Sequence, residues 1–229
     1  MEILSGGTTV QICPGCFPLS TDSILLAHFV RPSGRVLDLG AGCATLGLLL
    51  CDRDSRCQVT GLELDPDAHQ GALDNIRRNG LEGRLSSICA DLRQVRDLLP
   101  AGSFQTCLSN PPYFSGGPAS RDLPSARRTD CCAPEDLFAA AAWALGTGAD
   151  FYLVHKPEAL ARLCGCAVQV GLEPKVLRLV RHRPGGPVSL ILLKCRKDGK
   201  PGLQWQERCL LDADGLPTPY YKEAYQTKE

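Results

Sequence analysis

Compact apolar runs alternate with longer amphipathic stretches along most of the chain. Runs of aliphatic and β-branched residues that are bounded by turn residues predict buried strands. The stretches between them carry apolar residues at helical spacing behind a capping residue or a proline, and they predict helices. This alternation predicts an α/β fold, with a doubly wound, mostly parallel sheet and helices on both faces.

The predicted elements give the sheet seven strands. The strands cover residues 35–39, 58–63, 85–89, 104–109, 150–154, 175–181 and 188–195. The helices cover residues 24–30, 46–51, 66–79, 134–145 and 157–170. The last two strands form a terminal antiparallel hairpin around the Pro- and Gly-rich turn 183–187. Residues 203–211 are a candidate for one more strand.

Both ends of the chain predict small additions to this sheet. Residues 8–19 hold two strand-like runs around a Pro-Gly turn and predict a short N-terminal hairpin. We divide the chain into a hairpin and helix, 1–30, packed on the core, and a single core domain, 31–229. The tail beyond Gly215 is expected to be poorly ordered at its end.

The composition is that of a globular protein and excludes a general electrostatic attraction to nucleic acid. The 229 residues are 44% hydrophobic and 22% charged, and their formal net charge is zero. Any contact with RNA or DNA must therefore come from a local patch. No apolar run is long enough for a membrane span, and no secretory signal is visible, so we expect a cytoplasmic location. No obligate protein partner is indicated.

The thirteen cysteines do not predict disulfides or a metal site. Cys13 and Cys16 have the C-x-x-C spacing of zinc knuckles and redox sites. A structural zinc ion needs two more ligands, and the pairs Cys131–Cys132 and Cys164–Cys166 have the wrong spacing to supply them. We expect reduced cysteines that act as small hydrophobic residues, and no bound metal.

Polar side chains close four of the predicted strands. Asp38, Glu63, Asp91 and Asn110 lie at or just after the ends of the first four strands of the sheet. The carboxyl ends of parallel strands meet at one edge, where ligands of such sheets bind. We therefore expect these side chains to form one site.

The acidic character of this site selects among nucleotide-like ligands. Gly40-x-Gly42 could begin a dinucleotide fingerprint, but Thr45 replaces its third glycine. Three carboxylates would repel a pyrophosphate and attract a cationic ligand. S-adenosylmethionine fits, because it carries a sulfonium, an ammonium and a ribose diol. The predicted cofactor-binding residues of this edge are Asp38, Gly40, Gly42, Glu63, Asp91, Leu92 and Asn110.

Each carboxylate is assigned to one part of that cofactor. We expect Glu63 to accept hydrogen bonds from the ribose hydroxyls, Asp38 to contact the methionine amino end, and Asp91 to contact the adenine amino group. The two glycines would let the backbone approach the ligand closely.

The run Asn110-Pro111-Pro112-Tyr113 suits the methylation of a poorly nucleophilic amino group. The side-chain oxygen of Asn110 and the carbonyl of Pro111 can both accept from one –NH2 group, so that its lone pair localises on nitrogen. The prolines stiffen the backbone that aims these acceptors. Tyr113 offers a flat face on which a planar target can stack. We expect Asn110, Pro111 and Tyr113 to carry the chemistry.

These motifs resemble class I S-adenosylmethionine-dependent amino-methyltransferases. Residues 19–27, the Asn-Pro-Pro-Tyr run with Phe114, Arg127-Arg128 and Asp214-Gly215 are more closely similar to tRNA adenine-N6 methyltransferases that modify a valine tRNA. The resemblance spans almost the whole chain. It implies methylation of the adenine just 3′ of the anticodon, with Thr21 and Asp22 flanking the methionine end of the cofactor.

The chain departs from this family pattern at two positions. Ala44 stands where a third small glycine is common, and Gln105 replaces an acidic residue before the Asn-Pro-Pro-Tyr run. Neither change removes a chemical group that the mechanism needs.

The tRNA that this resemblance implies as a partner must be held by local basic patches. The candidates lie in the long polar loop after the Asn-Pro-Pro-Tyr run and around the predicted hairpin turn. They are Arg121, Arg127, Arg128, Arg181 and Arg183.

Other functions remain open at this point. Methylation of a glutamine amide in a peptide release factor poses the same chemical problem, although those enzymes usually carry a helical domain before the sheet. Guanine-N2 methylation of ribosomal RNA and adenine methylation of DNA are further possibilities, as is a non-catalytic binding module. A dinucleotide-dependent enzyme is disfavoured by Thr45 and the acidic strand ends.

Overall fold

The computed structural model describes residues 2–13, 18–113 and 133–225. A two-stranded hairpin precedes an eight-stranded sheet with helices on both of its faces. The strands are β1 Glu2–Ile3, β2 Thr9–Val10, β3 Arg35–Leu39, β4 Gln58–Glu63, β5 Leu85–Cys89, β6 Phe104–Ser109, β7 Leu145–His155, β8 Leu172–Arg181, β9 Val188–Lys197 and β10 Gln204–Cys209. The helices are α1 Thr21–Phe29, α2 Thr45–Arg53, α3 Pro66–Arg78, α4 Val95–Leu98, α5 Pro134–Ala144, α6 Leu160–Gln169 and α7 Pro219–Tyr225.

The predicted doubly wound, mostly parallel sheet is confirmed. The strand order is β10-β8-β9-β7-β6-β3-β4-β5, and only β9 among these strands runs antiparallel to its neighbours. The hairpin of β8 and β9 reverses direction around the turn 183–187, as predicted. β3 is flanked by β4 on one side and by β6 on the other, so the strand order reverses direction at β3. In sheets of this kind the ligand crevice lies at the carboxyl end of the strand where the order reverses.

The sheet has eight strands, so the predicted count of seven is wrong by one edge strand. Gln204–Cys209 pairs in parallel with β8 along Val176 to Arg181. The residues of β10 are mostly polar and exposed, with Trp205 65% accessible. An edge strand needs no apolar face to form a ladder with its single neighbour, which is why the hydrophobic pattern identified it less clearly.

The N-terminal hairpin pairs differently from the prediction. The strand Thr9–Val10 pairs with the preceding Glu2–Ile3 and not with the chain that follows it. Its other side is held by α3, where Asn79 bonds the backbone N–H and carbonyl of Thr9 at 2.8 Å each. Asn75 does the same for Gln11. These two amide side chains replace a partner strand, and the predicted turn at 14–17 lies outside the described residues.

The tail beyond Gly215 forms a helix that the sequence did not predict, while its last residues, 226–229, on which the prediction of poor order falls, lie outside the described residues. Its helix α7 buries Tyr220 and Ala224 against the core. The guanidinium of Arg178 in β8 lies between the rings of Tyr220 and Phe29, at 5.4 and 4.6 Å from their centroids. Cation–π contacts of this kind stabilise the packing of α7 against the core.

Two hydrophobic layers sandwich the sheet. One layer includes side chains of α1, α2, α3 and α7, and the other includes side chains of α5 and α6. Both layers bury the central strands, which fixes the positions of the residues at their carboxyl ends. Across the described ranges, no helix is long and apolar enough to cross a membrane.

Candidate active site

The buried carboxylate at the end of β3 has no hydrogen-bond partner among the described residues. Asp38 is 1% exposed, and neither Oδ1 nor Oδ2 is bonded. Burial, and after it the nearby charge of Glu63, raises the pKa of Asp38 to about 8. An unpartnered buried carboxyl group costs free energy, so its presence here fits a cationic or proton-donating ligand group in the crevice.

The turn after β3 leaves open space beside its backbone. Gly40 and Gly42 adopt left-handed conformations with φ of 74° and 56°, and a Cβ at either position would meet no atom within 4 Å. The backbone N–H groups of Gly40 and Ala41 donate to the carbonyl of Leu62 in β4, which ties the turn to the sheet. The turn thus forms a cradle that a ligand can approach to backbone distance.

The third turn residue to adopt this conformation is not a glycine. Ala44 has φ 65° and directly precedes α2, at the position where the resemblance described above implies a third glycine. Its methyl group is buried in the core, with 1% exposure. The alanine therefore fills core space but accepts a strained backbone conformation. Gln105, the other departure, accepts a hydrogen bond from Arg35 N at the amino end of β6, away from this turn.

Glu63 faces the same turn from the end of β4. Its Oε2 accepts from Gly42 N at 2.7 Å, and its Oε1 accepts from Asp65 N at 2.9 Å. The carboxylate is half-buried and connects the two turns that follow β3 and β4. Glu63 therefore holds the cradle in shape, and its contact with a ribose stays a prediction.

Asp91 begins the turn after β5, and an arginine binds its side chain. Its Oδ1 accepts from Arg93 N, and its carboxylate forms an ion pair with the Arg93 guanidinium. The hydrogen bond from the Arg93 side chain lowers the pKa of Asp91. Leu92, half-buried, starts a short 3-10 helix beside it. An adenine contact at Asp91 stays a prediction. It requires the carboxylate to accept from the adenine amino group as well as from Arg93.

The Asn-Pro-Pro-Tyr run packs against the first turn of α1. Asn110 Nδ2 donates to Ser23 Oγ at 3.1 Å, and the hydroxyl of Tyr113 donates to the carboxylate of Asp22. Ser109, the residue before the run, is buried and donates through Oγ to Leu39 O at 2.7 Å, next to the turn of β3. Asn110 and Tyr113 are therefore each fixed by a separate residue of α1.

Tyr113 also contacts the end of β7. The His155 ring meets it edge to face at 5.2 Å between centroids, and Lys156 Nζ lies over its ring at 4.9 Å from the centroid. Burial raises the pKa of Asp22, against the opposing influence of the Lys156 charge. Burial also lowers the pKa of His155. The tyrosine is thus enclosed by an anion, an imidazole and a cation.

The remaining predicted residues differ in how they are placed. Thr21 Oγ1 hydrogen-bonds the hydroxyl of Tyr225 at 2.8 Å, which joins α1 to the C-terminal helix. Arg181 donates to Glu207 and to the Gly186 carbonyl, while Arg183 is exposed at the hairpin turn. The predicted RNA contacts Arg121, Arg127 and Arg128 lie outside the described residues, as does Cys16. Within the described ranges, no group of three His, Cys, Asp or Glu residues could hold a metal ion.

Sequence reasoning missed the residues that support the site. Ser23, His155 and Lys156 were not among the candidates, nor was Asn75, whose Nδ2 donates to the carbonyl of Cys43 in the β3 turn at 3.0 Å. Asn75 and Asn79 are four residues apart on α3, a spacing that places both on one face of the helix. Paired amides on the buried side of a helix are a signal that could have identified this support.

Two comparisons with known proteins agree on a methyltransferase. Residues 20–162 match the methyltransferase small domain family. A tRNA1(Val) (adenine(37)-N6)-methyltransferase of Bacteroides fragilis is 31% identical over 76% of this chain and 75% of its own length. The enzyme of the same name from Actinobacillus pleuropneumoniae is 28% identical over 90% of this chain and 87% of its own length.

A solved structure confirms the fold. A predicted O-methyltransferase of Agrobacterium tumefaciens superposes with a TM-score of 0.73, at 21% sequence identity, over 90% of this chain and 96% of its own. This likeness shows that the chain has the fold predicted from its sequence.

Proposed function

Because the chain belongs to the methyltransferase small domain family, we propose that it transfers a methyl group from S-adenosylmethionine to N6 of an adenine in tRNA. The relatives named above point to adenine 37 of tRNA1(Val), in the anticodon loop. The observation that carries the proposal is the fixed position of Asn110 and Tyr113, each bonded to α1 beside the cofactor crevice. Bases of an anticodon loop are accessible to such a site because they can be unstacked.

The residues of the crevice suit S-adenosylmethionine, which supplies an electrophilic methyl group on a sulfonium when bound. Asp38 would face its ammonium and receive the cationic partner that it lacks among the described residues. Glu63 would accept from the ribose hydroxyls, and the backbone at Gly40 and Gly42 leaves room for the ligand. Asp91 and Leu92 would hold the adenine end, and Thr21 and Asp22 would flank the methionine end.

The chain's own contribution to catalysis is to hold the target amine. Asn110 Oδ1 and the Pro111 carbonyl would accept its two N–H bonds, while Tyr113 would stack on the base. These hydrogen bonds strengthen as positive charge develops on the amine nitrogen, so they stabilise the transition state more than the ground state. The crevice fixes the approach of the amine, and positioning supplies most of the rate enhancement.

Methyl transfer to unmodified bacterial tRNA tests the proposal. Wild-type protein and Asn110→Ala would be incubated with labelled S-adenosylmethionine, and the product nucleosides would be separated by mass. We expect N6-methyladenosine from the wild type, and a loss of about 100-fold to 1,000-fold in kcat for Asn110→Ala with cofactor affinity preserved. Gln105→Ala is the matched control, since it removes an amide from the opposite end of the same strand.

The other outcomes identify what would have to change. Label on a release factor or on ribosomal RNA, with tRNA unlabelled, would overturn the substrate and keep the cofactor. Near-full turnover by Asn110→Ala would overturn the role of the Asn-Pro-Pro-Tyr run. Cofactor binding without transfer to any of these acceptors would favour a binding module.

A further inference from the structure

A lysine covers one face of the tyrosine on which the target base is proposed to stack. Lys156 directly follows β7, and its Nζ lies over the Tyr113 ring at 4.9 Å from the centroid. The ammonium also donates to the carbonyl of Ser189 in β9 at 3.4 Å, a distance near the limit of a hydrogen bond. Weak contacts therefore hold Lys156 beside Tyr113.

A face of Tyr113 that carries an ammonium cannot at the same time carry a base. The hydroxyl of Tyr113 is bonded to Asp22, and its ring is met edge to face by His155. These contacts hold the ring in place, so a base that stacks on the lysine's side must displace the lysine. A flexible lysine side chain is displaced at small cost, and its charge then needs a new partner.

Two other described cations near the carboxyl ends of the strands are paired with carboxylates. Arg93 forms an ion pair with Asp91, and Arg181 forms one with Glu207. The charge of Lys156 acts on Asp22, where it opposes the rise in pKa caused by burial, but the Asp22 carboxylate already accepts a hydrogen bond from the tyrosine hydroxyl. The hydrogen bond of Lys156, by contrast, goes to a backbone carbonyl and not to a carboxylate.

We propose that Lys156 is a positioning residue that leaves the face of Tyr113 when the target base stacks there and binds a backbone phosphate next to that base. The inference rests on the proposed function and identifies how the same site distinguishes a nucleotide within an RNA chain from a free nucleoside. A nucleoside displaces the ammonium without offering it a phosphate, whereas an RNA strand supplies the anion at once. The net charge of zero makes this local contact more important than in a basic protein.

Binding of unmodified tRNA as a function of salt tests the inference. The variants are Lys156→Met, which keeps length and removes charge, and Lys156→Arg, which keeps the charge. Equilibrium binding of fluorescent tRNA would be measured from about 50 to 200 mM salt. We expect Lys156→Met to weaken binding about 5-fold to 10-fold at low salt and to reduce the slope of log Kd against log salt by about one, while Lys156→Arg restores most of both.

Kinetics provide the second readout. Lys156→Met is expected to raise KM for tRNA by a similar factor and to leave kcat at saturating tRNA within about twofold of wild type. Lys175→Met is the matched control, because it removes one lysine charge near the amino end of β8, away from the carboxyl ends of the strands where the site lies. There Lys175 Nζ donates to the Lys200 carbonyl. Equal melting temperatures for the variants would verify that each is folded.

The outcomes separate this inference from the proposed function. If wild-type protein methylates tRNA but Lys156→Met has the salt slope and KM of Lys175→Met, the phosphate contact is wrong and the function stands. A fall in kcat with KM unchanged would also overturn it, since that places Lys156 in the chemical step. If the wild type neither binds nor methylates tRNA, both proposals fail together.

Discussion

Two aspartates of the same sheet differ in whether a described residue pairs with their carboxyl group. Asp150 in β7 is 17% exposed at its side chain and pairs with Lys194 and Arg196 of β9, each at 2.8 Å. Asp38 in β3, two strands away, is more deeply buried and has no bond to any described residue. The first carboxylate holds β7 against its antiparallel neighbour, whereas the second weakens the folded state.

The difference teaches which charges belong to the fold and which belong to a ligand. A buried charge that serves structure is paired, because an unpaired one is costly. Asp38 is buried without a partner among the described residues at the carboxyl end of the central strand, beside the open cradle, and this burial destabilises the folded protein. We infer that a group brought by the ligand offsets this cost, so that binding and folding place opposite demands on the same residue.

The largest expected effect comes from replacing the unpaired carboxyl group of Asp38. Asp38→Asn should lower kcat/KM by more than about 100-fold, because a neutral amide holds an ammonium far less well than a carboxylate. The same change should raise the free energy of unfolding at neutral pH by roughly 1–3 kcal/mol. Calorimetric cofactor binding and denaturant unfolding would measure the two effects. If Asp38→Asn is as active as the wild type and no more stable, Asp38 is neither a ligand contact nor a cost to folding, and it does not differ from Asp150 in the proposed way.

The paired aspartate should respond in the reverse sense. Asp150→Asn leaves Lys194 and Arg196 without their carboxylate, so the free energy of unfolding should fall by about 2 kcal/mol. The side chain lies away from the cradle, and kcat/KM should stay within about twofold of wild type. Urea unfolding beside the methyl-transfer assay would decide. Lost activity in a fully folded Asp150→Asn protein would contradict the structural role.

The smallest expected effect is a pH dependence specific to Asp38. Its pKa of about 8 in the folded protein lies above the ordinary value of 3.8, so the folded state binds more protons than the unfolded state between these values. Wild-type stability should therefore fall relative to Asp38→Asn as pH rises through this window. We expect the gap to widen by about 1 kcal/mol for each pH unit between pH 6 and 8, below the limit of about 1.4 kcal/mol per unit for one proton.

Unfolding of both proteins at a series of pH values checks this. The comparison with Asp38→Asn cancels the titration of groups common to both proteins. A constant gap would mean that Asp38 ionises at its ordinary pKa in the folded state, which would imply a partner for it in solution.

The sequence was sufficient for the sheet and for where its polar ends meet. Buried strands such as Arg35–Leu39 have a clear apolar pattern, and the rule for parallel sheets then brings Asp38, Glu63 and Asn110 to one edge. The Asn-Pro-Pro-Tyr chemistry also follows from residue types alone. The roles of the site residues and the division at residue 30 stay predictions.

The supporting contacts could not be predicted, because they depend on packing between distant elements. Ser23 meets Asn110 only after α1 has docked on the sheet, with 87 residues between them. Lys156 reaches Tyr113 because β7 lies next to β6. Strand β10 was only a candidate and helix α7 was not predicted, for a different reason. The strand is mostly polar and the helix is short, and their positions are fixed by a neighbouring strand and by contacts of Arg178 with Tyr220 and Phe29.

The contact between Thr21 and Tyr225 has a consequence for how the protein is made. These residues are 204 positions apart, and their hydrogen bond joins the helix that fixes Asn110 and Tyr113 to the C-terminal helix. A ribosome therefore adds Tyr225 long after Thr21. The strands between them can begin to form the sheet while the chain is still being synthesised, but this hydrogen bond beside the site forms only after α7 has left the exit tunnel.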